Sequence, residues 1–416
     1  MADVSYRELF RTFGHIGLLS FGGPAAQIAL MHRELVDRTR WLDEATFLRA
    51  LSFTMLLPGP EAMQLATYAG WRLRGVPGGL LAGLLFVLPG AAVIFALAYA
   101  YVSLGDLPLV HALFLGVKAA VVAIVIEALV KVARRALHGP GHWIIAALSF
   151  LAIFALALPF PLIIAAAALW GFRTTGGAGA PIPLPRGHGL GRTIAIWGTL
   201  WFAPIAALWA SGATFLTEIA LFFSKLAVVT FGGAYAVLAY MTQEVVADRG
   251  WLTTAQMMDG LGLAETTPGP LILVTQFVGF LAGVGAEGIG MGLAAASLTL
   301  WVTFVPCFLW IFAGAPYLDW IAGRPRLTGA LAAITAAVVG VILNLSLWFA
   351  THVLFSRVDV IAWGPLHMIA PDPASLDPVA ASLVAIAATL LLVLHWPLLR
   401  VLLIAAVLGL ASPAIG

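Results

Sequence analysis

Charge is scarce in this 416-residue chain: Asp, Glu, Lys and Arg make up 10% of it, against 62% hydrophobic residues. So little charge excludes a soluble domain of this length, whose surface needs about a quarter of its residues charged. Cysteine is nearly absent. The single Cys307 excludes an internal disulfide and leaves no thiol pair for dithiol redox chemistry or a thiolate metal site. A Gly-x-Gly-x-x-Gly turn after a strand is missing, as are paired histidines in the apolar stretches, which argues against a membrane oxidoreductase. No cofactor, metal or nucleic-acid partner is expected. Nor is a cleavable signal peptide, because Arg7, Glu8 and Arg11 interrupt any apolar core near the start.

What remains is hydrocarbon-compatible sequence. The mean hydropathy is +1.03. Gly75 to Gly105, Trp143 to Phe172, Thr193 to Thr217, Gly288 to Leu318 and Leu327 to Ser356 contain no Lys, Arg, Asp or Glu. A helix needs about 20 residues to cross about 30 Å of hydrocarbon, so each stretch is long enough to cross, and the lipid bilayer is the first partner. The fold class expected is an all-α polytopic membrane protein.

The segment from Phe21 to Pro60 recurs at Phe231 to Pro270, an offset of 210 residues at both ends (231 − 21 and 270 − 60). Fifteen of the forty positions are identical without a gap, among them Phe21-Gly22-Gly23 with Phe231-Gly232-Gly233, Glu34 with Glu244, and Pro58-Gly59-Pro60 with Pro268-Gly269-Pro270. Two copies of a helix-breaking motif in so apolar a chain point to a duplicated transporter.

Charge gives the copies a direction. Residues 1–192 carry 15 basic and 9 acidic groups (+6), whereas residues 193–416 carry 6 and 10 (−4). In the first half Arg33, Arg38, Arg40 and Arg49, then Arg72 and Arg74, then Lys131, Arg134 and Arg135 mark cytoplasmic connections, while Ser103 to Pro108 has no base and is placed outside. The second half reverses this pattern, with Arg324 and Arg326 in the counterpart of the base-free connection. Two inverted repeats are therefore expected: residues 1–172 and 213–416, joined by a Gly- and Pro-rich cytoplasmic linker at 173–192 and an extra span at 193–212 that flips the second copy.

Within each copy the Gly/Pro motifs fall where a continuous helix would be expected. Proline removes a backbone donor and clashes with the preceding turn, so Pro58-Gly59-Pro60 should end one helix and leave Pro60 at the start of the next. A helix from Trp41 to Leu57 would reach only about 25 Å, and one from Pro60 to Leu73 less. A broken, re-entrant helical hairpin is the reading, with Phe21-Gly22-Gly23-Pro24 as a similar break. Non-helical backbone at membrane depth survives only where protein or a wet cavity satisfies it, so four breaks imply a shared central cavity. Helix N-termini in that cavity present unpaired N–H groups and a positive dipole end, which suits an anion.

These motifs carry a family resemblance. Phe21-Gly22-Gly23-Pro24, Met31 to Leu35, Leu56 to Glu61, Leu65 to Tyr68 and Phe86 to Pro89 resemble the first domain of the chromate ion transporter family, and Val229 to Tyr235 with Leu263 to Pro270 resemble the second domain of its long, two-domain members. The resemblance covers nearly the whole chain, apart from the linker and the Val353 to Pro378 loop. It implies a multi-pass protein of the bacterial cytoplasmic (inner) membrane, a secondary transporter that exports chromate and confers chromate resistance, driven by membrane potential, proton coupling or both. A carrier or channel for sulfate or another oxyanion is the alternative. The reading leaves room for a homodimer.

Candidate substrate-binding residues are the breaks themselves, Gly22, Gly23, Pro58, Gly59, Pro60, Gly232, Gly233, Pro268, Gly269 and Pro270, with Thr266 and Thr267 as neutral donors, joined in that role by Thr275. Arg33 is a candidate for collecting a dianion at the cytoplasmic mouth, because guanidinium matches oxyanions bidentately. Lys225, six residues before Phe231 in an otherwise uncharged stretch, is the preferred intramembrane cation, with snorkelling to the interface as the competing reading. Glu34, Glu61, Glu244 and Glu265 are candidates for coupling or gating. Glu61 would satisfy its own helix N-terminus and compete with an anion, whereas Leu271 stands at the matching place, so the second break is expected to be freer for substrate. Lys118 and Glu127, nine residues apart, should face opposite sides of one helix and not pair.

Overall fold

The computed structural model describes residues 4–104, 107–177, 189–231, 234–364 and 366–412. The chain is built of helices. Five of them, among the described residues, are long and apolar enough to cross a membrane: Glu61–Leu104, Pro108–Ala136, Leu190–Ala210, Ile289–Tyr317 and Pro325–Leu354. Their outward faces, and those of the shorter helices, carry bare apolar side chains such as Leu148, Trp209 and Leu403, each more than 60% exposed. That pattern costs free energy in water and none in lipid. The protein is an all-α polytopic membrane protein.

The first half opens with α1 (Tyr6–Leu19), started by a capping box in which Ser5 and Glu8 exchange side-chain-to-backbone hydrogen bonds. A break follows, then α2 (Gly23–His32), which runs on through a π-helical turn at Arg33–Arg38. Helix α3 (Glu44–Thr54) begins where the Asp43 carboxylate accepts from Thr46 N–H, 2.8 Å away. It starts later than the helix expected from Trp41, because the Trp41 and Leu42 N–H groups are tied back to the Leu35 carbonyl and belong to the turn. After the Pro-Gly-Pro break comes α4 (Glu61–Leu104), bent at Arg74 and Gly75, where the backbone leaves helical geometry. The short helix expected to end at Leu73 is its first limb.

Helices α5 (Pro108–Ala136), α6 (Pro140–Phe154) and α7 (Phe160–Thr174) complete this half. The charge-free stretch from Trp143 to Phe172 is thus two short helices and not one crossing. Ala157 takes a left-handed φ of 48° and Pro159 opens the next helix, so continuous helix is impossible there. Helix α8 (Leu190–Ala210) is the additional apolar helix of the middle of the chain; most of the linker before it, residues 178–188, lies outside the described residues.

The second half repeats the first in backbone detail. Helix α9 (Thr214–Val229) leads to α10 (Ala234–Thr242) and a π-helical turn at Gln243–Asp248, which stands at the offset of the sequence repeat from its counterpart at Arg33–Arg38. The turn closes identically: Thr39 N–H donates to Glu34 O, and Arg249 N–H to Glu244 O. Arg40 and Gly250 share a positive φ, 53° and 62°. Helix α11 (Thr254–Thr266) begins at the same offset from the start of α3, and α12 (Val274–Glu287) and α13 (Ile289–Gly314) correspond to the two limbs of α4. Then come α14 (Leu318–Ala322), α15 (Pro325–Leu354), α16 (Pro378–Ala388) and α17 (Leu398–Leu410). Between α15 and α16 stands an antiparallel hairpin, β1 (Val358–Trp363) and β2 (Leu366–Pro371), in the loop that the family resemblance does not reach.

Two compact units divide these elements, and each takes segments from both halves. Unit 1 comprises Met1–Ala98, Gly176–Ala234 and Thr267–Thr328, with α13 packed against α8, α9 and α12. Unit 2 comprises Tyr99–Thr175, Tyr235–Thr266 and Gly329–Gly416, with α5 packed against α11, α16 and α17.

Candidate substrate site

Within unit 1 the helix breaks of the two halves satisfy one another. Gly59 N–H, in the first Pro-Gly-Pro, donates to Thr230 O at 2.8 Å, at the second Phe-Gly-Gly. Gly269 N–H, in the second Pro-Gly-Pro, donates to Ser20 O at 2.9 Å, at the first Phe-Gly-Gly. The two bonds are one bond repeated, since 59 + 210 = 269 and 20 + 210 = 230. Backbone freed by a broken helix needs a partner away from water, and here each break finds it in the other copy.

Glycine is required at these points. Gly59 and Gly269 have φ of 117° and 90°, and a Cβ on Gly59 would lie 2.8 Å from Cys307 Sγ and 2.9 Å from Gln64 Nε2. The α4 backbone comes just as close: a Cβ on Gly90 would fall 2.1 Å from Pro268 O.

Three buried glutamines brace the crossing, and none was among the candidates from sequence. Gln27 Nε2 donates to Gly269 O (2.7 Å) and Ser20 O (3.2 Å), joining both partners of one reciprocal bond. Gln64 Nε2 donates to Pro58 O (2.7 Å), and Gln276 Nε2 to Ala91 O (3.0 Å). All three are at most 2% exposed. A polar amide a few residues from a break in an apolar run was the available signal.

The expected residues divide as follows. Gly22, Gly23, Pro58, Gly59, Pro60, Pro268, Gly269 and Pro270 belong to the unit 1 breaks; Gly232 and Gly233 lie outside the described residues. Access differs between copies. Gly22, Ala25 and Ala26 at the start of α2 are exposed and Pro58, Pro60 and Glu61 half-buried, whereas Thr267 to Pro270 are buried. The Thr266 and Thr275 hydroxyls donate to Leu263 O and Ile272 O, each 2.8 Å away, so their protons are committed to their own helical turns. Arg33 is exposed at the end of α2. Lys225 lies on the outward stripe of α9 with Leu221 and Val228, while its neighbours Ser224 and Leu226 are buried.

The glutamates are held by specific partners. Glu34 is buried against Arg38 (2.6 Å), with His15 at 4.0 Å. Its counterpart Glu244, in unit 2, accepts from Tyr240 Oη (2.7 Å) and faces Arg249 Nε at 3.5 Å. Also in unit 2, Tyr235 Oη donates to Glu265 at 2.8 Å. Lys118 pairs with Asp259 and Glu127 with Lys131, so Lys118 and Glu127 take separate partners.

Comparison with known proteins agrees with this architecture. The family profile described as Chromate transporter matches the chain twice, over residues 7–172 and 217–410. The chain belongs to the chromate transporter family. A chromate transport protein of Pseudomonas aeruginosa is 34% identical over 350 residues, covering 82% of this chain and 80% of the relative. That of Cupriavidus metallidurans is 30% identical over 349 residues, 81% of this chain and 80% of the relative. An uncharacterized transporter of Bacillus subtilis aligns over 155 residues at 30% identity, 37% of this chain but 78% of its own length. No solved structure matches. The chain is a membrane transporter and not an enzyme.

Proposed function

We propose that the protein exports chromate from the cytoplasm across the bacterial inner membrane as a secondary transporter, and that the crossed breaks of unit 1 handle the anion. The reciprocal bonds from Gly59 to Thr230 and from Gly269 to Ser20 carry this reading, because they hold broken helices of both copies in one place. Once those N–H groups are paired, the first-turn donors of α2 remain to face a ligand, and the open start of α2 gives access. Inverted orientation of the copies follows from the reversed charge pattern and puts the loop at 103–108 outside with the hairpin after α15.

Energetics favour export. A dianion leaving a negative-inside cell gains about 4.6 kcal/mol per 100 mV, so potential alone can drive it, with Glu34, Glu61, Glu244 and Glu265 in gating roles. Chromate uptake by energised inside-out vesicles tests this: uptake should survive collapse of the pH gradient and stop on collapse of the potential. No uptake in vesicles containing the protein would refute export. Strong competition by sulfate would move the assignment toward the broader oxyanion carrier that the chemistry also fits. For Lys225, exposed on α9, we favour a snorkelling role over the substrate cation expected from the sequence. Lys225→Met should transport at the parent rate, and abolished transport with normal insertion would return it to the substrate.

A further inference from the structure

Unit 2 contains a buried ion pair that the unit 1 site does not use. Lys118, in the first half of α5, places Nζ 3.1 Å from Asp259 Oδ1, and Tyr101 Oη donates to Asp259 Oδ2 at 2.9 Å. The Asp259 side chain is 6% exposed, that of Lys118 20%. The lysine borders a pocket of about 320 Å³ whose other polar lining is Thr254, His352 and Ser356. Asp259 lies behind it and is not part of the lining.

The donors the pocket wall offers are those of Lys118 and Thr254, since the Ser356 hydroxyl donates to Ser375 O at 3.5 Å. An ammonium has three protons, and the carboxylate behind it does not occupy them all. Thr254 and Ala255 open α11, a helix of 13 residues whose first-turn N–H groups have no intrahelical acceptor. Thr253, just before it, and Gln256, in its first turn, cap each other, and Met257 N–H donates to Thr253 O, so the N–H groups offered to a ligand are those of Thr254 and Ala255. His352 Nδ1 is 2.8 Å from Trp348 O and is committed to it as a donor. The nearby Arg357 is occupied by Asp372, 2.8 Å away. A water takes about 30 Å³ of liquid, so the pocket has room for a small oxyanion with part of its hydration shell.

We infer that this pocket is a second binding site for a tetrahedral oxyanion dianion, with Lys118 as its cation and Asp259 as a resident competitor for that cation. The inference rests on the transport reading for its purpose: by the charge-derived topology this end of unit 2 faces outward, where a competing carboxylate would keep the outgoing anion weakly held.

The test places a cysteine at Ser356 in the full chain, purified in detergent, and follows maleimide labelling as sulfate is added, with sodium chloride at equal ionic strength as control. Sulfate should slow labelling where chloride does not. Asp259→Asn should give the same protection at about tenfold lower sulfate, since a charged hydrogen-bonding competitor is removed. Lys118→Met alone would strand a buried carboxylate, so the charge-free pair Lys118→Met/Asp259→Asn serves as the cation deletion. It should fold and lose protection. Protection that persists in that double variant, or is absent from the parent, overturns the site. Chromate export is measured separately in vesicles; its absence would overturn the transport reading while labelling still decides the pocket.

Discussion

Gln27→Leu is the sharpest perturbation of the crossing, because it removes one amide that holds two carbonyls from opposite halves. Gln27 is 2% exposed and donates 2.7 Å to Gly269 O and 3.2 Å to Ser20 O. Leucine preserves most of the volume, so the loss is polar. Ser20 O keeps the Gly269 N–H at 2.9 Å and remains satisfied, which leaves Gly269 O as the acceptor that loses its amide. An unsatisfied buried acceptor costs about 1–3 kcal/mol, equivalent to about a 5- to 150-fold change in the population that keeps the crossing intact. Apparent melting temperature in detergent should fall, and chromate uptake by vesicles at equal protein should fall with it. Gln27→Glu should be worse, since a carboxylate would face two carbonyls. If Gln27→Leu melts and transports like the parent, the crossing is not the element that transport depends on.

Two further outcomes follow from the same geometry. Gly59→Ala combines a left-handed φ with contacts to Cys307 and Gln64, and should lose about 2–4 kcal/mol, measured as a lower apparent melting temperature; Gly59→Ala/Cys307→Ala should recover part of it, and Gly23→Ala, where φ is 76° but no atom lies within 4 Å, should lose less. At the last residue of α2, His32 lies 2.6 Å from Glu44 and 3.4 Å from Asp37, and the hydrogen bond to Glu44 raises its pKa above the ordinary 6.5. A raised folded-state value means stability present below about pH 6.5 and lost as pH rises through the folded pKa, so melting profiles should decline more over that window in the parent than in His32→Ala.

The duplication was legible because it is written in residues with strict backbone demands. Glycine at a positive φ and proline at a helix start cannot drift, so the offset of the repeat reappears in the π-helical turns, in the starts of α3 and α11, and in the paired φ of Arg40 and Gly250. The breaks themselves were legible, but their partners were not. Gly59 and Thr230 lie in different copies, and no local pattern encodes which carbonyl a freed N–H will meet. For the same reason Asp259 was missed as the partner of Lys118: it sits in the other half of the chain, in a segment read as a hairpin limb. Hydropathy also merged α6 and α7, because Ala157 and Pro159 break a helix without adding charge.

The copies are alike in backbone and unlike in side chains, and the difference has a physical direction. Gln27 corresponds to Val237, and Glu61 to Leu271. The first copy therefore supplies the amide that closes one reciprocal bond and places a carboxylate at its own helix start, while the second supplies apolar packing at both places. Exposure follows the same division, with an open start of α2 and a buried second Pro-Gly-Pro. Neither half can satisfy its breaks alone, because the acceptor for Gly59 is in the second copy and the acceptor for Gly269 is in the first. A transporter built this way needs two repeats for backbone chemistry before it needs them for substrate. Once the pairing is secured, selection is free to make one break accessible and polar and the other closed and apolar, so that a symmetric scaffold carries asymmetric side chains.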